Sequence, residues 1–386
     1  MGVRKLHMNQ TSRILSTYSA DAFGVASSLF ELGGMVIIHD ASGCNSTYTT
    51  HDEPRWYDMD SMLFVSAISE MEAIMGDDEK LISDIVTEAN KFHPRFIAIA
   101  GTPIPAMTGF DGPSVAMQIE NLTGIPSFGF NTTGMKTYVS GAAMALRELA
   151  ERFVRKDITP ERDHYINVLG ATPLDFSTNG QIESIVKLLT DNGWKVNCTY
   201  AMNTTFEAVE NMGCADVNLV ISSTGRDTAE FLKESFGTPY LEAVPYGKEF
   251  SRKVLSSLEQ LYNGEGTDLF ETKKAPSDGC FLIGEEIAAL SLSEALLLET
   301  GRSFRILCPT NDGPLLRSTD RYTPYEDDIV EALSGAETVI CDPTYRNILT
   351  EKVRAIDWPH EACSGRIYRK YIPNLIGDIS NISEKL

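Results

Sequence analysis

Residues 218–247, NLVISSTGRDTAEFLKESFGTPYLEAVPYG, set the fold class of this 386-residue chain. A run rich in Val, Leu and Ile ends in small hydroxyl residues and a glycine, the pattern of a buried strand over 217–222 and its turn. A helical segment follows over 226–236 and stops at a Gly-x-Pro tail, after which 239–244 reads as a second strand. Repeated strand–helix–strand order is the signature of α/β layers with mostly parallel sheets.

The same alternation extends in both directions. Upstream, 165–170 and 194–200 read as strands, with helices near 178–192 and 204–212. At the front, 35–39, 95–100 and 125–130 are predicted strands, and 77–92 and 139–154 predicted helices. Beyond a helix over 248–262, a third series places strands at 280–284, 304–309 and 337–341, with helices through about 298 and near 325–334. Two breaks interrupt the series: the charged stretch 155–164 and the Gly-rich, charged stretch 263–279. The expectation is three consecutive Rossmann-like α/β domains, at 1–160, 161–275 and 276–386, related in architecture but not by a close sequence repeat.

Fifty-four acidic residues against 33 Lys and Arg leave a formal charge of −21, which argues against nucleic acid or an anionic membrane as partner. No apolar run is long enough to span a bilayer, and the basic first residues lack the apolar stretch of a secretory leader. Seven cysteines, an odd number spread along the chain, fit a reducing compartment, so the cytoplasm is the expected location. Cys198, Cys280, Cys308 and Cys341 sit in or beside apolar runs and read as core, and Cys214 as structural. Cys44 and Cys363 lie in polar, glycine-containing stretches and invite functional readings.

In an open parallel sheet, ligands bind where loops gather at the carboxyl ends of strands. The richest such loop, HDASGCNSTYTTHDEPRWYDMD (39–60), carries Asp40, Cys44 and His51 among other acids and histidines, the donor types of an iron, zinc or iron–sulfur site. One cysteine does not supply four ligands, so a complete site needs another subunit; the competing reading is a polar contact loop. GTPIPAMTGFDGPS (101–114), with Thr102, brings irregular backbone to a strand end, either for a ligand or only to turn the chain. GFNTTGMKT (129–137) misses the Walker A spacing by one residue, so no ATP site is expected, although weak anion binding at the helix start remains open. The absence of GxGxxG argues against NAD. In ISSTGRD (221–227), Ser222 and Arg226 suit a ligand carboxylate or phosphate, or a plain helix cap. WPHEACSGR (358–366) offers His360 and Cys363 as pocket lining, or as a nucleophile and base.

HDASGC after the first strand resembles the HGPxGC loop of the nitrogenase component 1 type family, and 218–247 is similar to that family's second α/β domain. Three successive α/β units agree with its architecture, so the resemblance covers nearly the whole chain. It implies an oxidoreductase subunit that pairs with a second component 1 type subunit, as a homodimer or heterodimer. Electrons would arrive from a separate ATP-dependent iron protein, through an interfacial iron–sulfur cluster, and reduce a substrate between the domains. Cys44 matches the loop cysteine, with Asp40 as a further oxygen ligand. No cysteine lies in 16–24, and Thr102 stands where the family often has one, so the resemblance implies a shared 4Fe–4S cluster rather than an eight-iron one. The cysteine that binds the nitrogenase cofactor aligns near Ser222, and a hydroxyl is a poor replacement for a thiolate on iron. The pocket would then take a different metallocofactor or an organic substrate such as a tetrapyrrole. The alternatives are a metallocluster scaffold without catalysis and a cluster-less partner subunit.

Overall fold

The structure is a computed structural model that describes residues 12–76, 78–158, 162–270 and 276–386, without the side chains of Ser42 and Cys44. Residues 159–161 and 271–275, inside the two predicted breaks, lie outside the described residues.

Three parallel sheets are built from consecutive strands. The first holds β1 (Met35–His39), β2 (Met62–Val65), β3 (Ile97–Gly101) and β4 (Ser127–Phe130) in the order β2-β1-β3-β4. The second holds β5 (Tyr165–Leu169), β6 (Lys195–Tyr200), β7 (Val217–Val220) and β8 (Tyr240–Glu242) in the order β6-β5-β7-β8. The third holds β9 (Cys280–Ile283), β10 (Arg305–Cys308), β11 (Arg321–Tyr322), β12 (Thr338–Cys341) and β13 (Arg354–Asp357) in the order β11-β10-β9-β12-β13. The central strands are buried along their whole length and largely apolar, because helices cover both of their faces. Alternation then sends Met35 and Ile37 into one core and Val36 and Ile38 into the other. That second core continues from Leu29 and Tyr138 through Phe176 to Leu282 and Trp358, so it joins all three sheets.

The main helices lie where periodicity puts them, at Glu79–Phe92, Tyr138–Phe153, Arg226–Phe236 and Lys248–Tyr262. The Arg226–Phe236 helix ends at Gly237, whose φ of 75° returns its N–H to the Lys233 carbonyl. The helix expected from 178 begins instead at Gln181, because Pro173–Phe176 forms its own short helix and the chain turns at Ser177. Two stretches read as irregular contain helix. Residues 39–60 hold a helix at Ser42–Thr47 that widens into a π-helical turn at Tyr48–Asp52, and 101–114 hold one at Pro103–Thr108, with proline in its first turn. The helix Asp21–Leu29 and the strands β2 and β11 have no counterpart in the sequence reading. No helix of the described residues is long and apolar enough to cross a membrane.

Candidate functional site

Strand order reverses between β5 and β7 in the second sheet and between β9 and β12 in the third, the places where parallel sheets open a crevice at their carboxyl ends. The chain leaving those strands supplies Asp175 after β5, Ser222 after β7 and Glu285 after β9. His360 follows β13, and Tyr138 opens the helix beyond β4. All five meet where the three units join.

Asp175 is the acceptor at the centre. Its Oδ1 accepts from the Tyr138 hydroxyl at 2.5 Å, and its Oδ2 from Thr172 and Ser222, each at 2.8 Å. His360 Nε2 lies 3.5 Å from Oδ1, with both side chains largely buried. Burial works to lower the His360 pKa, but Asp175 and Cys363 outweigh it and raise it well above the usual imidazole value. Its Nδ1 is buried without a hydrogen-bond partner among the described residues. Burial and then the Asp175 charge hold the Tyr138 phenol protonated.

Glu285 caps the helix Glu286–Thr300 by accepting from Ala288 N–H at 3.0 Å. From the turn after β7 of the second sheet it accepts from the Ser223 N–H at 3.1 Å and from the Ser223 hydroxyl. Glu286, fully buried, receives Arg226 at 2.7 Å, Asn311 at 2.9 Å and the Leu315 N–H at 2.6 Å. Gly313 is required there, since a Cβ would stand 1.7 Å from the Glu286 carboxylate. Asp175, Ser222, Glu285 and His360 line a cavity of about 10 Å³, walled by Phe176, Tyr246 and Trp358 and able to hold about one water.

The sequence-derived candidates fall into two groups in space. Ser222 and His360 converge on Asp175, with Cys363 beside the imidazole. Arg226 is adjacent but already holds Glu242 and Glu286. Asp40 and Thr102 instead follow β1 and β3 at the carboxyl edge of the first sheet, and Cys44 and His51 lie in the helical stretch after β1. There the Asp40 carboxylate accepts from Asn45 and from Ala41 N–H, and the Thr102 hydroxyl donates to the His39 carbonyl at 2.9 Å. His51 contacts Thr50 and lies 3.9 Å from Asp52. Glu53 is spent on Arg55, which also holds Glu31. The loop at 131–137 offers its N–H groups inward: Thr133 and Gly134 donate to Asp21, so this chain's own carboxylate fills the anion position. Among the described residues no group of three His, Cys, Asp or Glu side chains forms a metal-holding set. The thiols of Cys198, Cys308 and Cys341 are pushed up to about 12 by burial, as befits core residues.

Asp175, Glu285 and Tyr138 were not singled out from sequence. Glu285 and Glu286 left a usable signal, two acids directly after the buried run CFLIG; Tyr138 left none.

A three-sheet parallel α/β protein with a polar site at the common carboxyl edges defines the class, and the comparisons give the family. The profile of the nitrogenase component 1 type oxidoreductases matches residues 22–277, and the chain belongs to that family. It is 25% identical over 211 residues to the nitrogenase iron-molybdenum cofactor biosynthesis protein NifE of Klebsiella pneumoniae, covering 51% of this chain and 45% of that protein. It is 26% identical to the nitrogenase molybdenum-iron protein alpha chain of Clostridium pasteurianum, over 59% of this chain and 41% of that one. Over a shorter stretch, 27% of this chain and 21% of the relative, it is 30% identical to a light-independent protochlorophyllide reductase subunit of Nostoc punctiforme. The matches therefore span less than half the length of these curated relatives. Among solved structures, nitrogenase Cp1 at pH 6.5 superposes with a TM-score of 0.68 at 15% identity, over 96% of this chain and 95% of that one, a likeness of fold.

Proposed function

We propose that this chain is a subunit of a nitrogenase-like reductase that takes electrons from a separate ATP-dependent iron protein and reduces a substrate where its three sheets meet. The observation that carries this reading is the convergence on Asp175: Tyr138, Ser222 and His360, one from each unit, meet a single buried carboxylate at the sheets' carboxyl edges. A purely structural junction is built more cheaply from apolar groups, so buried acid and imidazole together favour proton chemistry.

The described side chains at the carboxyl edge of the first sheet do not by themselves complete an iron–sulfur site. Asp40 and Thr102 are committed to internal hydrogen bonds, and no metal-holding group exists among the described residues. In this reading a 4Fe–4S cluster on Cys44 takes its other ligands from a second component 1 type subunit. A surface suited to such a subunit lies on the same edge. The touching helices Glu70–Met75 and Pro103–Thr108 expose Met71, Ile74, Met75, Ile104 and Met107, and the first of them buries no residue at all. At the junction, Ser222 is engaged by Asp175, and the cavity holds no more than about one water, so any substrate or metallocofactor bound there requires the second and third units to part.

Anaerobic co-purification with the second subunit, counting of iron and sulfide, and EPR of the dithionite-reduced complex test the cluster. ATP-dependent electron uptake from the iron protein tests the reductase. The second reading, a scaffold or cluster-less partner, is favoured by hydroxyls already satisfied at 102 and 222. A complex without iron establishes the cluster-less partner; iron without electron uptake establishes the scaffold.

A further inference from the structure

The last strand of the first sheet, β4, is an edge: among the described residues it pairs with β3 alone. In register, Ile97 faces Ser127 and Ile99 faces Gly129, and the Ile97 N–H donates to the Pro126 carbonyl. Alternate residues of a parallel strand bond to the same neighbour, so Ser127 and Gly129 turn their backbone groups away from β3. The Ser127 N–H is taken by Glu120 at 2.9 Å. The Ser127 carbonyl and the Gly129 backbone remain at the edge, and both residues line a groove of about 490 Å³ between the helices Gly112–Thr123 and Tyr138–Phe153. Glycine is needed at 129, since a Cβ there would stand 2.0 Å from the Gly112 carbonyl oxygen and push the first of these helices off the strand.

Met117, Met144 and Phe128 give the groove apolar walls, and Glu148 gives it charge. Glu148 is half-buried; burial and then the like charge of Glu151 raise its carboxyl, and no donor or cation among the described residues opposes them. The neighbouring acids are satisfied: Glu151 is exposed and holds Arg147 at 2.7 Å, and Glu120 receives Arg152 at 2.7 Å. No Lys or Arg among the described residues lines the groove. We propose that this groove binds a small organic cation, a primary ammonium or guanidinium on an apolar stem, with its N–H groups on the Glu148 carboxylate and the edge carbonyls and its stem against Met117, Met144 and Phe128. A half-buried carboxylate without a counter-charge gains its partner, and a head that has only donors meets outward oxygens that only accept. Thioethers adapt to the stem, and an aromatic wall attracts positive charge. The formal charge of −21 concentrates cations at the surface of the chain and disfavours anions. An added peptide strand fits less well. Phe128 and Phe130 turn their backbone to β3 and Ser127 has spent its N–H, which leaves Gly129 alone in this four-residue strand with both ladder groups. The groove is separate from the junction, because Glu148 stands ten residues beyond Tyr138 on one helix, roughly 15 Å by helical rise.

The test titrates the full-length protein, isotope-labelled at its methionine methyl groups, with three probes of one shape: phenethylamine, phenethyl alcohol and phenylacetate. Met117→Leu and Met144→Leu assign the two resonances that report on the groove. The amine is expected to shift both saturably and to bind about tenfold tighter than the alcohol, the gain of one charge-assisted hydrogen bond. Glu148→Gln, which keeps the size of the side chain, is expected to remove that tenfold and leave the affinity for the alcohol unchanged. An amine that binds no tighter than the alcohol, phenylacetate that binds as well as the amine, or an amine affinity untouched by Glu148→Gln overturns the site. Absence of a saturable shift at both methyls overturns it as well. The comparison of amine with alcohol uses the unaltered chain, so it decides the matter even where a variant fails to fold. None of these readouts involves electron transfer, so the site stands or falls apart from the reductase reading.

Discussion

Asp175 holds side chains from three units on two oxygens, so its substitutions separate charge from hydrogen bonding. Asp175→Ala leaves buried hydroxyls and an imidazole without their acceptor and is expected to cost on the order of 3 kcal/mol or more. Asp175→Asn keeps the size and removes the charge. In the folded protein the His360 pKa is raised above 6.5, despite burial, by Asp175 and Cys363. A raised imidazole contributes stability that is complete below pH 6.5 and is lost as pH rises through the folded value. Removing the Asp175 charge leaves burial dominant, so the His360 ring resonance should titrate lower in Asp175→Asn by NMR. Thermal melts should then differ more between wild type and variant at about pH 6 than at about pH 9. An equal gap at both pH values would sever the link between this ion pair and stability. Half of this cluster was legible beforehand. Ser222 and His360 stand out as polar residues at strand ends, whereas Asp175 lies in GATPLDFSTNGQ, a stretch that reads as any other loop until Tyr138, 37 positions away, reaches it.

Elements with strong periodicity were legible, and those fixed by contact with another element were not. The helix Asp21–Leu29 escaped because Gly24 and the pair Ser27–Ser28 lower the local helix propensity of DAFGVASSL. Those small residues are there for packing. A Cβ on Gly24 would lie 2.0 Å from the Tyr138 carbonyl oxygen, and one on Gly141 would lie 1.9 Å from that of Asp21. Backbone meets backbone between this helix and Tyr138–Phe153, and neither can yield as a flexible side chain would. Gly24→Ala and Gly141→Ala are each expected to lower stability by about 2 kcal/mol or more, seen as a reduced urea midpoint with unchanged slope. Because Tyr138 opens the displaced helix, Gly141→Ala should also weaken its bond to Asp175 and make the phenol easier to ionise in an ultraviolet pH titration. The edge strand β2 was missed although its sequence, MLFV, is apolar throughout: the run is only four residues long and follows the polar stretch 39–60.

At the scale of the whole molecule, the chain's charge and its exposed apolar face pull in opposite directions. A formal charge of −21 keeps copies apart at low salt. Met71, Ile74, Met75, Ile104 and Met107 nevertheless leave a contiguous apolar surface on the edge that carries the Cys44 helix, and a lone soluble chain gains nothing from it. Methionine suits a face that must adapt to another surface, since its side chain repacks at little cost. The sequence could not reveal this patch, because its residues come from two six-residue helices, one inside the stretch 101–114 that reads as irregular and one, Glu70–Met75, in a stretch assigned no element. If the face is covered by a second component 1 type subunit, association should strengthen with added salt, as screening weakens repulsion while apolar contact persists. In analytical ultracentrifugation the assembled protein should exceed the 42.5 kDa of one chain. The pair Met71→Glu and Met107→Glu should return it to monomer with an unchanged circular dichroism spectrum, since both side chains are solvent-exposed in one chain. Where the second subunit is a different chain, the same pair should abolish its co-purification. A variant that still assembles fully would place the interface on another face and separate Cys44 from any shared cluster.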